Sequence, residues 1–400
     1  MGMYVSHRSW RVARFLLGVA CAGTGTAPLV AQIPAAAKIT PNRVDNIDRP
    51  LRYRPEGKDF VIANGTEFFN RPLYGGNTAF RVDAGDRPEF SLYLPGRGGN
   101  LRLGLRNGRS IKWLHEADTI VARYRAGEMI YEVRDPLMGD GGVMVLNVVA
   151  LPQTEGLMVR ASCQGVAASL DLVWAYGGIN GQRGRRDGDI GTESVPISEY
   201  FQLRPEYCRD NIVELINGGF ILRSSAATIV GVATGGAHFA AADARNWNSI
   251  ETLFASSSFA TTSDFPIVTG SASLSSNTPS YLLLQRVSDH AVVAEELETY
   301  RAVTKDRAGL NASPVPVSLP PAFTVESLPG VFAAAVAHFA ALRSRVEIDT
   351  PDAYINAASA ALNVAADAVW DGPQQSLMHG AIAWRSRLLG WRGAYALDAL

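Results

Sequence analysis

One pattern dominates the sequence: short apolar runs, each closed by turn-forming residues, follow one another from residue 59 to residue 287. The run at 60–63 ends at Asn64-Gly65, and the alternating run at 100–105 is followed by Asn107-Gly108. Asn-Gly favours hairpin turns because both residues tolerate a positive φ. Further runs lie at 89–94, 120–124, 129–133, 143–151, 157–163, 170–176, 212–215, 220–223, 228–233 and 281–287. This spacing predicts a large antiparallel β-sandwich over residues 59–288.

The hydrophobic period changes after residue 289. Residues 291–305 are rich in helix formers with apolar positions at helical spacing, and residues 328–345 show the same period. Between them, residues 312–321 contain four prolines, as in a stiff extended linker. We therefore predict linker helices with a proline-rich segment over residues 289–347.

A further helix is predicted over residues 352–370. Thr350 can cap its start, Pro351 fits the first turn, and Asp352 suits the positive end of the helix dipole. One predicted face of this helix carries Tyr354, Ala358, Ala361, Leu362, Ala365 and Val369. These residues open a predicted helical domain over 348–400, which we expect to be truncated because the chain stops in mid-pattern at Leu400.

The N-terminus has the pattern of an export signal. Arg8, Arg11 and Arg14 form a basic region, an apolar stretch follows to residue 31, and residues 29–31 are a plausible cleavage site. We expect a signal peptide at 1–31, an irregular lead-in at 32–58, and a periplasmic or extracellular protein. A membrane anchor, or a lipoprotein attached through Cys21, is the alternative interpretation. Residues 331–342 are apolar but interrupted by His338, which favours a buried helix over a stable membrane span.

The overall charge excludes one large class of partner. The chain has 37 basic and 38 acidic residues, so it lacks the basic excess that a nucleic-acid-binding protein uses to neutralise phosphates. Its six histidines are scattered, and no nucleotide-binding glycine motif or HExxH motif is present. We therefore expect no metal and no cofactor. After signal cleavage only Cys163 and Cys208 remain, and the sequence leaves open whether they form a disulfide.

The densest cluster of aromatic, basic and glycine residues lies in residues 370–400. Indole rings can cover the apolar face of a sugar, and arginine can bind vicinal hydroxyls or a uronate with paired hydrogen bonds. The alternative is that the tryptophans are core residues and the arginines are solvated or paired with nearby aspartates. The candidate substrate-binding residues are His379, Trp384, Arg385, Trp391 and Arg392.

Asp398 is the only carboxylate after Asp371. Glycoside hydrolysis generally requires two carboxylates on opposite sides of the scissile bond. Asp398 is thus a weak catalytic candidate, and we expect the catalytic pair to lie mainly beyond residue 400.

Two motifs carry a resemblance to a known group of enzymes. Ile348-Asp349-Thr350-Pro351-Asp352 and Leu389-Gly390-Trp391-Arg392-Gly393 resemble segments of six-hairpin glycosidases, in which a large β-sandwich and linker helices commonly precede an (α/α)6 toroid. The second motif is similar to the Leu-Gly-Trp-x-Gly loop that lines the sugar pocket of rhamnosidase- and fucosidase-like members. The front half, through Ala63-Asn64-Gly65 and residues 69–75, resembles an uncharacterised family of large secreted bacterial proteins of this type.

The resemblance implies that Trp391 and Arg392 contact substrate, with Arg385 and Asp398 as neighbours. Rhamnosidase-like proteins carry acidic residues just before this loop, whereas Arg385, Ser386 and Arg387 stand here. The implied function is an exported glycoside hydrolase acting on a plant or microbial oligo- or polysaccharide. A polysaccharide lyase is a second hypothesis, although lyases usually place the toroid before the sandwich. A non-catalytic glycan-binding or scaffold protein is the third.

Overall fold

The computed structural model describes residues 51–94, 96–182, 200–259, 263–292 and 315–378. The described residues all belong to one compact unit. The predicted signal peptide lies outside the described residues, as does most of the predicted helix at 291–305.

The described residues form 22 strands, and every pairing between them is antiparallel. In chain order they are β1 (Arg54–Glu56), β2 (Asp59–Ala63), β3 (Arg71–Tyr74), β4 (Arg81–Ala84), β5 (Glu89–Tyr93), β6 (Arg97–Asn107), β7 (Ser110–Trp113), β8 (Thr119–Arg125), β9 (Glu128–Arg134), β10 (Val143–Ala150), β11 (Gly156–Gln164), β12 (Leu170–Ile179), β13 (Ile212–Ile216), β14 (Gly219–Arg223), β15 (Thr228–Ala233), β16 (His238–Asp243), β17 (Pro266–Ser273), β18 (Ser280–Arg286), β19 (His290–Val292), β20 (Val315–Val317), β21 (Trp370–Asp371) and β22 (Ser376–Leu377).

Two large sheets make up most of the molecule. One has ten strands in the order β1-β2-β8-β9-β10-β11-β18-β15-β14-β13. The other has eight, in the order β16-β17-β12-β6-β5-β4-β3, with β7 pairing to β6 off that path. Two further sheets have two strands each, β19-β20 and β21-β22.

The two large sheets pack face to face around a shared apolar core. Val82, Leu101 and Leu103 of the eight-stranded sheet belong to the same buried cluster as Leu146 and Val159 of the ten-stranded sheet. Alternation along each strand turns every second side chain towards this core. The described part is therefore an antiparallel, sandwich-like β structure, and this coarse prediction is confirmed.

The structure extends the sandwich beyond its predicted start. β1, which lies in the segment that the sequence indicated as an irregular lead-in, pairs with β2. The sequence pattern also did not predict β16 and β17, where alanine, glycine and serine dilute the apolar alternation. Trp174 of β12 is fully buried. It lies against Gly270 on the neighbouring strand, where a Cβ would come within 2.3 Å of the indole.

Three α-helices accompany the sheets in the described residues: α1 (Ile250–Ala255), α2 (Leu328–Arg343) and α3 (Ala353–Ala368). The last two confirm helices predicted from the sequence. Ala291 and Val292, where the sequence predicted another helix to begin, instead belong to β19 and pair with the proline-rich strand β20. β20 is an edge strand of this two-stranded sheet, a position in which its Pro316 is tolerated although it cannot donate a ladder hydrogen bond.

Helix α2 packs on the sandwich. Phe332 approaches Tyr281 of β18 with ring centroids 5.8 Å apart, and Arg343 donates to the Ala126 carbonyl and to Glu128, both at 3.1 Å. The segment Val325–Arg343, with mean hydropathy 1.5, is long and apolar enough to cross a membrane by length and composition alone. Only one side of the helix, with Leu328, Phe332, Ala335, Phe339 and Leu342, is buried, so the buried helix predicted from the sequence is confirmed only for that side.

Helix α3 differs from its prediction in its cap and in its buried face. Asp352, not Thr350, caps the helix by accepting from the amides of Tyr354 and Ile355. The buried side carries Ala357, Ser359, Ala360, Asn363, Val364 and Ala368, whereas Tyr354 and Leu362 of the predicted face are exposed. An alanine-rich helix has a weak apolar stripe, so hydrogen bonds decide its rotation: Asn363 donates to the carbonyls of Arg343 and Val346 at 3.0 and 2.9 Å.

Candidate functional site

The six residues singled out from the sequence, His379, Trp384, Arg385, Trp391, Arg392 and Asp398, lie outside the described residues. The predicted sugar-binding wall therefore stays a prediction, as do the toroid and the export signal. The described chain ends at Met378, immediately after the short β21-β22 hairpin.

A cavity of about 380 Å³ lies between the sandwich and helix α3. We call it the aromatic cleft; its lining residues are Leu51, Arg52, Tyr53, Phe60, Arg71, Pro72, Tyr124, Tyr354 and Ala361. They come from the segment before β1, from strands β2, β3 and β8, and from α3. Four rings and two guanidinium groups thus surround one opening.

Strand pairing positions two of these rings. Phe60 on β2 and Tyr124 on β8 are direct cross-strand partners, so their side chains stand on the same face. Tyr354, on the first turn of α3, lies over Phe60 with ring centroids 6.4 Å apart. Its hydroxyl donates to the Tyr53 carbonyl at 3.3 Å, which ties the helix to the segment before β1.

Tyr53 is held on its polar side. Its hydroxyl donates to Asp86 and accepts from the Asn70 amide at 3.1 Å. Asp86 is almost fully buried and also accepts from Arg52 at 2.9 Å and from the Glu67 amide at 3.1 Å. Burial and the bond to Asp86 raise the pKa of Tyr53, so the phenol stays neutral.

The two arginines of the aromatic cleft are bound differently. Arg52 forms ion pairs with Glu67 at 3.2 Å and with Asp86 at 2.9 Å. Arg71 stacks on the Tyr53 ring, 4.1 Å from its centroid, and donates to the Asn70 carbonyl at 3.3 Å. Within the described ranges no carboxylate forms an ion pair with Arg71. Most of its donors are therefore available to a ligand.

A second set of charged side chains lies on the outer face of the eight-stranded sheet. Arg81 pairs with Asp83 at 3.0 Å, and Arg102 makes two bonds to Glu89 at 2.9 and 3.1 Å. Aromatic rings cover each guanidinium, as shown by Arg102 between Trp113 and Trp247 at 5.4 and 4.7 Å. Arg97 stacks in the same way between Tyr200 and Tyr207, 4.1 Å from each.

Burial perturbs the acids of this second set. It raises the pKa of Asp83 to about 6 against the opposing charge of Arg81, and it raises the pKa of Glu89. Desolvation, with Arg102 and Arg87, lowers the pKa of nearby His115 to about 3, which leaves its imidazole neutral. Perturbed acids suggest acid–base chemistry. However, these side chains are buried and bonded to one another, so we interpret the set as structural.

The remaining reactive groups do not form a site in the described part of the chain. Cys163 and Cys208 are both buried and free, so the disulfide alternative is wrong. Burial raises the pKa of Cys163 to about 11 and that of Cys208 to about 12, which keeps both thiols protonated. No group of three His, Cys, Asp or Glu side chains that could hold a metal ion occurs among the residues whose positions are described.

Comparison with known families gives one match. The model of a family named for a domain of unknown function, DUF4450, matches residues 94–305, more than half of the 400-residue chain. The chain belongs to the DUF4450 family. Among curated proteins no match is found.

The DUF4450 match and the aromatic cleft cover different parts of the chain. The matched range contains the centre of both large sheets, and of the cleft residues it includes only Tyr124. Sequence reasoning missed the cleft because of where its residues lie along the chain. Most of the cleft residues lie in the segment interpreted as an irregular lead-in, or on the face of α3 that was singled out from the sequence without being linked to a site. The one available signal was the aromatic and basic composition of Leu51-Arg52-Tyr53.

Proposed function

We propose that this DUF4450 protein is an exported carbohydrate-active protein and that the aromatic cleft belongs to its glycan-binding surface. The observation that carries the proposal is the lining: four aromatic rings beside an arginine whose donors are mostly unused. Aromatic faces bind the apolar C–H face of a sugar ring, and guanidinium groups bind its oxygens. A volume of about 380 Å³ lies within the usual range for small-ligand pockets.

Glycoside hydrolysis is the reaction we propose for the protein, with the aromatic cleft contributing binding. The residues that line the cleft include no carboxylate, whereas hydrolysis requires two. The acid and its partner would therefore come from elsewhere, with Asp398 as one candidate. The same lining favours a second candidate function, a glycan-binding protein without catalytic activity.

A glycan array and a chromogenic-glycoside screen on the protein test both functions. We expect binding of at least one glycan class, and we expect Tyr354→Ala to weaken it about tenfold or more, since one stacking ring is worth about 0.5–1.5 kcal/mol beyond the area it buries. Phe259→Ala is the matched control, because Phe259 is 89% exposed and distant in sequence from the cleft residues. Binding that survives Tyr354→Ala unchanged would remove the cleft from the proposal.

The hydrolase and the non-catalytic alternative give different results in the same screen. A hydrolase should turn over a glycoside of the bound class, and Asp398→Asn or Trp391→Ala should lower that turnover while the aromatic cleft still binds. Glycan binding with no turnover of any bound glycan would instead favour the non-catalytic protein.

A further inference from the structure

The charges around the aromatic cleft are unequally balanced. Asp86 and Glu67 neutralise Arg52. Arg71, which lines the same opening, has no carboxylate partner among the described residues, and it donates a hydrogen bond to the backbone carbonyl of Asn70. A cationic group on a cavity wall without a balancing acid favours an anionic ligand.

The Arg71 guanidinium is also held in position before any ligand binds. It stacks at 4.1 Å on Tyr53, whose hydroxyl is fixed by Asp86 and Asn70. Holding the guanidinium in advance reduces the entropy lost on binding, because the planar donors already lie in one orientation. Such a fork matches the two oxygens of a carboxylate.

The surrounding surface limits what the anion can be attached to. Phe60, Tyr124 and Tyr354 provide apolar faces beside Arg71, and no acidic side chain lines the opening to repel a carboxylate. Burial raises the pKa of Tyr124 to about 12, so its phenol stays neutral at physiological pH. A pyranose ring with an apolar C–H face and one carboxylate fits this combination.

We propose that the aromatic cleft selects glycans that contain a uronic acid, with Arg71 binding the uronate carboxylate. The inference rests on the proposed glycan-binding function and adds the class of sugar. Arg71 acts here in recognition, while Tyr53 holds Arg71 in position.

The test compares matched ligands. An array carries hexuronic-acid oligosaccharides beside their carboxyl-reduced counterparts and neutral glycans of the same linkage. We expect the bound glycans to be acidic and reduction to weaken binding by about tenfold or more, the usual effect of losing a charged hydrogen bond. Higher salt should weaken binding of the acidic ligand more than binding of the neutral one.

Variants identify the residue responsible. Arg71→Met should abolish the preference for the acidic ligand while keeping the weaker binding of the carboxyl-reduced one. Arg71→Lys should retain part of the preference, because lysine keeps the charge but not the fork. Arg223→Met is the matched control. Arg223 lies on β14, is exposed and pairs with Glu214, so its loss should change the binding of neither ligand.

Each outcome is decisive. Neutral glycans that bind as well as acidic ones would overturn the uronate inference and leave the proposed function standing. Arg71→Met that weakens both ligands equally would show a structural role for Arg71 and overturn the inference. No glycan binding of any class would overturn both proposals together.

Discussion

Gly127 is the residue at which the fold depends most on the absence of a side chain. It turns the chain between β8 and β9 with φ of +88°, and a Cβ there would come within 2.4 Å of the Phe339 ring on α2. Glycine therefore meets two requirements at once, a left-handed backbone and close contact with a helix. The sequence showed the turn, since Ala126-Gly127 separates two apolar runs, but gave no sign that this turn contacts the helix predicted about two hundred residues later.

We expect Gly127→Ala to lower the free energy of unfolding more than Gly108→Ala does. Gly108 also has a positive φ, +59°, but nothing lies within 4 Å of its Cβ position. We expect Gly108→Ala to cost about 1–2 kcal/mol from backbone strain alone. Gly127→Ala should cost about 1–3 kcal/mol more, because Phe339 must also move. Urea unfolding of both variants measures the difference, and equal losses would show that α2 does not contact this turn closely.

Helix α3 shows what apolar periodicity can and cannot determine about an element. The sequence predicted its existence and its start within one residue, because Pro351 and Asp352 are strong signals for a helix N-terminus. The face that the pattern picked out is not the buried one, since Tyr354 and Leu362 on it are exposed. Eleven of its sixteen residues are alanine, asparagine or serine, so the apolar stripe is faint, and the bonds from Asn363 to the carbonyls of Arg343 and Val346 fix its rotation.

Adjacent substitutions on α3 distinguish the two faces. Asn363→Ala leaves two carbonyls without their partner and should lower the free energy of unfolding by about 2 kcal/mol. Leu362→Ala should change it by no more than about 0.5 kcal/mol, because Leu362 is 66% exposed. Chemical unfolding of both variants, followed by far-UV circular dichroism, gives the comparison. The opposite order would mean that the face predicted from the sequence is the buried one.

At the scale of the molecule, the order of parts was predictable and the contacts between them were not. Strand patterns followed by helical patterns indicated a sandwich and then helices. The aromatic cleft, however, brings Tyr53 and Tyr354 together across a separation of 301 residues. No local period encodes such a contact. This explains why sequence reasoning looked for a sugar-binding wall within one segment, at residues 370–400, and missed a cleft assembled from both ends of the described chain.

The contact between α2 and the ten-stranded sheet leads to a final prediction about truncation. In the structure α2 covers an apolar cluster on the outer face of that sheet, including Leu151, Met158 and Leu283. A chain ending at residue 310 would expose this cluster to water, at about 25 cal/mol for each Å² of apolar surface uncovered.

We therefore expect the chain truncated at residue 310 to bind a hydrophobic dye and to unfold at least roughly 5 °C below the full chain. It should also lose glycan binding, since Tyr354 and Ala361 of the aromatic cleft would be missing. Phe332→Ala in the full chain is the graded control: it removes one contact with Tyr281 but leaves α3 present, so the melting temperature should fall while binding persists. A truncated chain that melts like the full chain and binds no dye would show that the sandwich is complete without its helices.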